Sequence, residues 1–422
     1  MKYLEFNSKE CDELLDRFVK YTKIHSTSSS ENADNGICPS TSEQFEFARQ
    51  LEKELVSSGF DNVELTDKCY LYGMIPASAG CENVKPFCLL AHMDTVEEVS
   101  GLNVKPQIVK NYDGKILSLK NSITLDPSKI PELKQAADEN DTIITTDGTT
   151  LLGGDDKAGI AAIVTALSYL ISHKEIKHGP IEVLFSPDEE TGHGMDNVPL
   201  EKLKSKFAYT VDGGHIGELE SECFNAFRSD ITFFGVPSHT NNARKNKMVN
   251  AISVAAKFLE SLPHTERPET TDGREGFYCP LKIDGNMEKA SVSLFLRDFD
   301  RDNMEKRKSL VEQLASAAAA SSGAKVEVRH IQQYLNMKEG LDKVPSVKEV
   351  LIKAYRECGV EPVMTPIRGG TDGSRLTEMG IPTPNIFTGA HNYHSASEWV
   401  SLRQMLKAAD IIVNLSFLVT KI

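Results

Sequence analysis

Two hydrophobic periods run along this chain, and the point where one gives way to the other divides it. Apolar residues recur at helical spacing over residues 11–21, and again over 43–55 before the Ser57-Ser58-Gly59 stop. A wholly apolar run, Pro86-Phe87-Cys88-Leu89-Leu90-Ala91, then ends at His92 and predicts a central strand covered on both faces. Residues 157–171 form an Ala- and Ile-rich helix that starts straight after Asp155-Asp156. Residues 181–185 predict a second buried strand running into Ser186-Pro187-Asp188-Glu189-Glu190, and 207–211 a third running into Asp212. Strand, polar loop and helix in repetition predict an α/β domain with a mostly parallel central sheet. Its chemistry should lie at the carboxyl ends of the strands.

From about Phe224 the pattern changes. Residues 228–234 alternate as a strand, 248–262 are helical, 277–283 and 290–298 are strands, 304–320 a long helix and 325–331 a last strand. The order β-α-β-β-α-β is that of a ferredoxin-like domain. Residues 347–358 resume a helix, and 384–387 return to strand before His394. The expected organisation is a discontinuous catalytic domain, 1–222 and 338–422, with a lid domain inserted at 223–337.

A length of 422 residues exceeds one ordinary hydrophobic core, in keeping with two domains. The N-terminus is charged from Lys2 onward and lacks the apolar core of a signal peptide, and no apolar stretch reaches membrane-spanning length. The eight cysteines are scattered without a CxxC pair, which argues against a disulfide scaffold or thiolate zinc site and for a reducing cytoplasm. A net charge of −14 disfavours nucleic acid as a partner through phosphate repulsion.

Six short segments carry the candidate chemistry. They are His92–Asp94, the GGDDKAG run at 153–159, SPDEETG at 186–192, VDGG at 211–214, RGGTDG at 368–373 and NYHSASE at 392–398. Each has a bland reading of its own. His92 and Asp94 can be a buried histidine with a hydrogen-bonded aspartate, and Asp155-Asp156 can simply cap a helix. Glu189-Glu190 can be a solvated acidic loop, and Asp212 or His394 alone is more often structural. Together the segments favour hard-oxygen and imidazole ligation of two divalent cations. Of the adjacent pair Glu189-Glu190, one can bind metal while its neighbour serves as a base toward water. Three carboxylates leave one positive charge on two such ions uncompensated, the electrostatic balance of a water-activating site.

These motifs, taken with TTDGTTLLGGDDKAGIAAIV, IRGGTDGSRL and IFTGAHNYHSASE, resemble the M20 metallopeptidases in the same order over almost the whole chain. Within that family the long segment 107–148 resembles the tripeptide aminopeptidases rather than the carboxypeptidases, aminoacylases or desuccinylases. Position by position, the resemblance implies that His92 and Asp212 hold one zinc ion, that Glu190 and His394 hold the other, and that Asp155 bridges them. It implies a cis peptide bond between Asp155 and Asp156. Asp94 would orient His92, and Glu189 would be the general base. In the lid, His239 would help polarise the scissile carbonyl, while Arg297 and Arg368 would hold substrate carboxylate or carbonyl oxygens. One departure stands out. The tripeptide aminopeptidases usually carry His-Pro-Gly-x-Ala-Lys here, whereas this chain reads His239-Thr240-Asn241-Asn242-Ala243-Arg244.

The resemblance thus implies a zinc aminopeptidase, with cobalt or manganese as substitutes, that removes the N-terminal residue of short peptides, tripeptides first. It also implies a homodimer formed through the lid. A dipeptidase, carboxypeptidase or deacylase of the same family is the nearest alternative. A catalytically silent peptide-binding member would have lost a ligand or the base, and none is missing. A two-metal phosphoesterase fits the ligand chemistry but not the motif order.

Overall fold

The computed structural model describes residues 2–421, which divide into two compact units. The first comprises Met1–Ser221, Met337–Thr365 and Thr371–Ile422, and the second Glu222–Asn336 with Pro366–Gly370.

The first unit is built on an eight-stranded sheet. Its central strands are Ile181–Ser186, Phe87–His92, Ala208–Gly213 and Asn385–Phe387, side by side and parallel. Leu89 sits in register between Val183 and Tyr209. Antiparallel strands, among them Leu71–Ile75 and Glu218–Glu220, flank this core. The Phe87 and Ile181 strands are buried along their whole length, as expected of strands covered on both faces. One cover is the helix Gly154–Ser172, on which every residue from Asp156 to Leu167 is buried. It packs against the sheet and against the helices Lys9–Thr22 and Leu402–Val419, so it is apolar all round rather than amphipathic. The helix approaches the sheet closely at Gly159, where an added Cβ would stand 1.8 Å from the carbonyl oxygen of Val211.

A smaller antiparallel sheet joins Gln107–Val109, Ile143–Thr145, Trp399–Ser401 and Ala390–His391. Beneath it Tyr112, Leu125, Leu133, Ala136, Ile143 and Trp399 form a separate apolar cluster. That cluster gives the segment 107–148 its own core, and the pairing of Ala390-His391 with Trp399-Val400 holds together the two ends of the loop that carries His394.

The second unit is a four-stranded antiparallel sheet in the order Phe277–Gly285, Lys289–Asp298, Asn225–Phe234, Lys325–Tyr334. The helices Ala251–Ser261 and Arg301–Ala320 cover one face, so the chain runs β-α-β-β-α-β. Burial alternates along Asn225–Phe234, with Ile231 and Phe233 in the core and Thr232 and Phe234 partly exposed. Pro280, which has no N–H for a ladder, sits on an edge strand at a register shift. Pro366–Gly370, inside the range expected for the catalytic domain, belongs with this unit. Ile367 bridges Cys223, and Arg368 donates to carbonyls of the loop at 271–275.

Candidate metal centre

The ends of the parallel strands deliver the ligands. His92 is the last residue of its strand, and Asp212 lies near the end of a neighbouring one. Asp155 and Asp156 depart from helical geometry at the start of the long helix, and the bond between them is cis, as the resemblance implied. Asp188 follows its strand in the left-handed region and turns the chain into a single 3-10 turn carrying Glu189 and Glu190, which Gly192 closes, again left-handed. The Asp188 carboxylate is buried and accepts from Ser40 N–H, from Ser40 Oγ at 2.5 Å and from Gln44 Nε2 at 2.7 Å, which anchors the turn.

These elements bring together two trios that share one residue. In His92, Asp155 and Asp212, and again in Asp155, Glu190 and His394, the ligand atoms all lie within 4.8 Å of one another. His92 Nε2 stands 2.9 Å from Asp155 Oδ1 and 3.5 Å from Asp212 Oδ1. His394 Nε2 stands 3.3 Å from Asp155 Oδ2 and 3.1 Å from Glu190 Oε2. Asp155 therefore offers one oxygen to each imidazole. Glu190 Oε1 is buried without a hydrogen-bond partner among the described residues, an acceptor facing inward. The donor set, two imidazoles and three carboxylates with no thiolate, fits a pair of divalent cations.

Proton affinities in the site are strongly displaced. Burial and the Asp155 charge push Glu190 up to about 8 and Asp212 up to about 7. Glu189 also rises well above its ordinary value, through burial and the charges of Asp212, Asp372 and Glu190. Burial works against charge on Asp155 as well, yet hydrogen bonds from His394 and His92 outweigh it and hold that carboxyl below the usual range. The same bonds from Asp155 and Glu190 raise His394 to about 11. Such a density of carboxylates in a buried site is costly unless cations share it.

Several carboxylates around the trios act on main-chain groups. Asp94, fully buried, approaches His92 Nδ1 at 3.4 Å and accepts the N–H groups of Glu189 at 3.0 Å and Glu190 at 3.2 Å. Asp156 accepts the N–H of His92 and of Gly159. Asp372 accepts from Ser186 Oγ at 2.5 Å, and an added Cβ on Gly194 would collide with its carboxylate. Glu398 accepts four N–H groups from residues 152–155. Asp156, Asp372 and Glu398 lie inside the segments that carry the candidate chemistry, yet nothing in the sequence assigns them to the centre. Their partners are distant in the chain or main-chain groups, which no motif displays.

The other three predicted residues belong to the second unit. His239 is exposed and begins a short 3-10 turn, its Nδ1 accepting the N–H of Asn241 at 3.3 Å. Arg297 is buried, donates to the carbonyls of Phe227 and Leu296, and lies over the rings of Phe295 and Tyr334. Arg368 donates to the carbonyls of Thr271, Gly273 and Glu275 and lies over Phe224 and Phe277. Both guanidinium groups are thus held in fixed directions by carbonyls and ring faces.

Comparison with known proteins agrees with this architecture. Residues 150–417 match the family described as Peptidase family M20/M25/M40. The chain is 45% identical over 401 residues to a peptidase T of Clostridium perfringens, covering 95% of this chain and 97% of that one. The fold is similar to that of the aminopeptidase PepT from Bacillus cereus, with a TM-score of 0.75 at 23% identity over 97% of this chain and 98% of that one. It is also similar to the Bacillus subtilis YXEP protein, a dinuclear metal-binding peptidase of the M20 family, with a TM-score of 0.66 at 12% identity, covering 98% of this chain and 99% of that one. A family match over well over half of the sequence and relatives of nearly equal length lead to one conclusion: the chain belongs to the peptidase family M20/M25/M40 and is one of its metallopeptidases.

Proposed function

We propose that this enzyme is a dinuclear aminopeptidase that releases the N-terminal residue of tripeptides. The observation that carries the reading is the pair of ligand trios sharing Asp155, in a chain 45% identical to a peptidase T over nearly its whole length. His92 and Asp212 would hold one cation, Glu190 and His394 the other, and Asp155 would lie between them. Zinc suits these donors, with cobalt or manganese as substitutes. Cations bound there supply positive charge that acidifies water and polarises a carbonyl.

The chain's own residues handle protons and substrate. Glu189 takes a proton from the attacking water and passes it to the departing amine. The elevated proton affinity that burial and neighbouring carboxylates give it suits the second half of that task. Asp94 keeps Glu189 and Glu190 in place through their main-chain N–H groups. His239 would donate to the carbonyl oxygen as negative charge develops there. Arg297 and Arg368 would grip the carboxylate or carbonyl oxygens of the peptide. The eight free cysteines support a reducing compartment, so the cytoplasm is the proposed location. No helix is long and apolar enough to cross a membrane among the described residues. Pairing of two copies through the second unit is the proposed assembly.

A panel of di-, tri- and tetrapeptides, offered with free and N-acetylated amines to the zinc-loaded enzyme, tests the reading. The expected result is cleavage after the first residue of free tripeptides and none of their acetylated forms. Preferred cleavage of acetylated substrates would replace it with a deacylase, and release of the C-terminal residue with a carboxypeptidase.

A further inference from the structure

Glu398 is only 1% exposed, and its carboxylate accepts four consecutive main-chain N–H groups. Leu152 and Gly153 donate to Oε2 at 2.7 and 2.8 Å, and Gly154 and Asp155 to Oε1 at 2.7 and 3.2 Å. Successive N–H groups converge on one anion only where the backbone curls into a nest. Gly153 supplies the left-handed step, with φ at +82°. Gly154 is needed for a different reason, since an added Cβ would stand 2.9 Å from Glu398 Oε1 and 2.7 Å from Val400 Cγ2. The last of the four donors is the main chain of Asp155 itself.

The other end of this contact is equally well placed. Glu398 lies four residues after His394 in the same loop, and its own carbonyl accepts from Thr145 Oγ1 at 2.8 Å. The carboxylate thus ties the segment that brings Asp155 into the centre to the loop that brings His394, and those two side chains meet at 3.3 Å.

We propose that Glu398 is a positioning residue of the metal centre, whose carboxylate sets the spacing between Asp155 and His394 at which both can hold one cation. The inference rests on the dinuclear reading of the site. A glutamine at 398 keeps the shape but turns an amide NH₂ toward two of the four N–H groups. Two donors would then face another donor, and the nest would open on the side of Asp155 or of Leu152. The effect would reach the metal through geometry, with no change in the ligands.

The test compares wild type, Glu398→Gln and Glu398→Asp for zinc affinity, by competition with a chromophoric chelator. It also measures kcat and KM on a free tripeptide, and the unfolding midpoint of the metal-free proteins. Glu398→Gln is expected to weaken zinc binding about 10–100-fold and to lower kcat in the same range with KM little changed, as removal of a group that orients a ligand does. Glu398→Asp, which keeps the charge but withdraws it by one methylene, should fall between the two. Wild-type zinc affinity and kcat in Glu398→Gln, even with a lowered unfolding midpoint, would reduce Glu398 to a loop-stabilising role and overturn the proposal. If Glu398→Gln does not fold, Glu398→Asp decides: wild-type zinc affinity there overturns the proposal, and partial loss supports it. A wild-type protein that failed to bind two divalent cations would overturn the dinuclear reading instead, a separate result.

Discussion

Asp94 and Glu189 are joined through the backbone: Asp94 Oδ1 accepts the main-chain N–H of Glu189 at 3.0 Å, and Oδ2 accepts that of Glu190 at 3.2 Å. One carboxylate beside His92 therefore also sets the turn that carries both the proposed base and a proposed ligand. Asp94→Asn would place an amide donor against one of those N–H groups. The expected loss is about 10–100-fold in zinc affinity or turnover, read from zinc titration and steady-state rates. Unchanged values in both would leave Asp94 a filler of space.

Glu189 and Glu190 are adjacent, yet their substitutions should separate. Glu189→Gln is expected to keep two equivalents of metal and lose turnover by about 10²–10⁴-fold, the usual weight of a proton-transferring group. Glu190→Ala should instead lose metal, because its carboxylate meets His394 at 3.1 Å. Metal analysis beside single-turnover rates distinguishes the two, and near-normal turnover in the glutamine variant would reassign the base.

Metal binding should depend on pH with a definite sign. In the metal-free protein His394 holds its proton up to about 11, Glu190 up to about 8 and Asp212 up to about 7. Ligands bind metal only when deprotonated, so each bound cation must displace these protons, and apparent affinity rises with pH. The rise should be steepest below the Asp212 and Glu190 values, where all three groups carry protons. It should be shallower above them, where only the imidazoles still do: His394, and His92, whose proton the Asp212, Asp155 and Asp94 carboxylates hold against the effect of burial. Competition titrations at a series of pH values measure the slope, and a flat profile would contradict these protonation states.

His239 is exposed in the second unit and well separated along the chain from every proposed ligand. His239→Ala should lower turnover about 10²–10³-fold, the cost of removing one donor to a developing oxyanion. Zinc content should not change. Wild-type turnover in this variant would remove His239 from the reaction.

Gly159→Ala pits helix propensity against close packing. Alanine would favour the helix by roughly 1 kcal/mol. The added Cβ would, however, stand 1.8 Å from Val211 O and 2.3 Å from Asp156 Oδ1, inside any tolerable contact. Overpacking of this kind costs about 1–3 kcal/mol, and here the colliding atoms are a strand carbonyl and a buried carboxylate, so packing wins. The expected result is a lower denaturant midpoint for the metal-free protein. An unchanged or raised midpoint would show that the helix can retreat from the sheet without cost.

What the sequence determined by itself was local. The run Pro86–Ala91 ending at His92, and the run 181–185 ending before Glu189, are apolar stretches that must be buried and polar residues that must lie at their ends. The period-two alternation near 228–234 likewise marks a half-buried strand, and the structure has one at Asn225–Phe234. Such patterns are legible because they repeat within a few residues. Tertiary structure decided the rest. The pairing of Glu190 with His394, 204 positions away by subtraction of the residue numbers, was legible only through the family resemblance, and the structure alone has the main chain of Glu189 meet Asp94. It alone seats Glu398 in a nest of N–H groups at 152–155, and turns Arg297 and Arg368 onto carbonyls and ring faces. The physical reason is common to all of these. A carboxylate or guanidinium satisfies its hydrogen-bonding capacity with whatever the fold brings near, main-chain groups above all, and a main-chain N–H is the same at every non-proline residue and leaves no mark in the sequence.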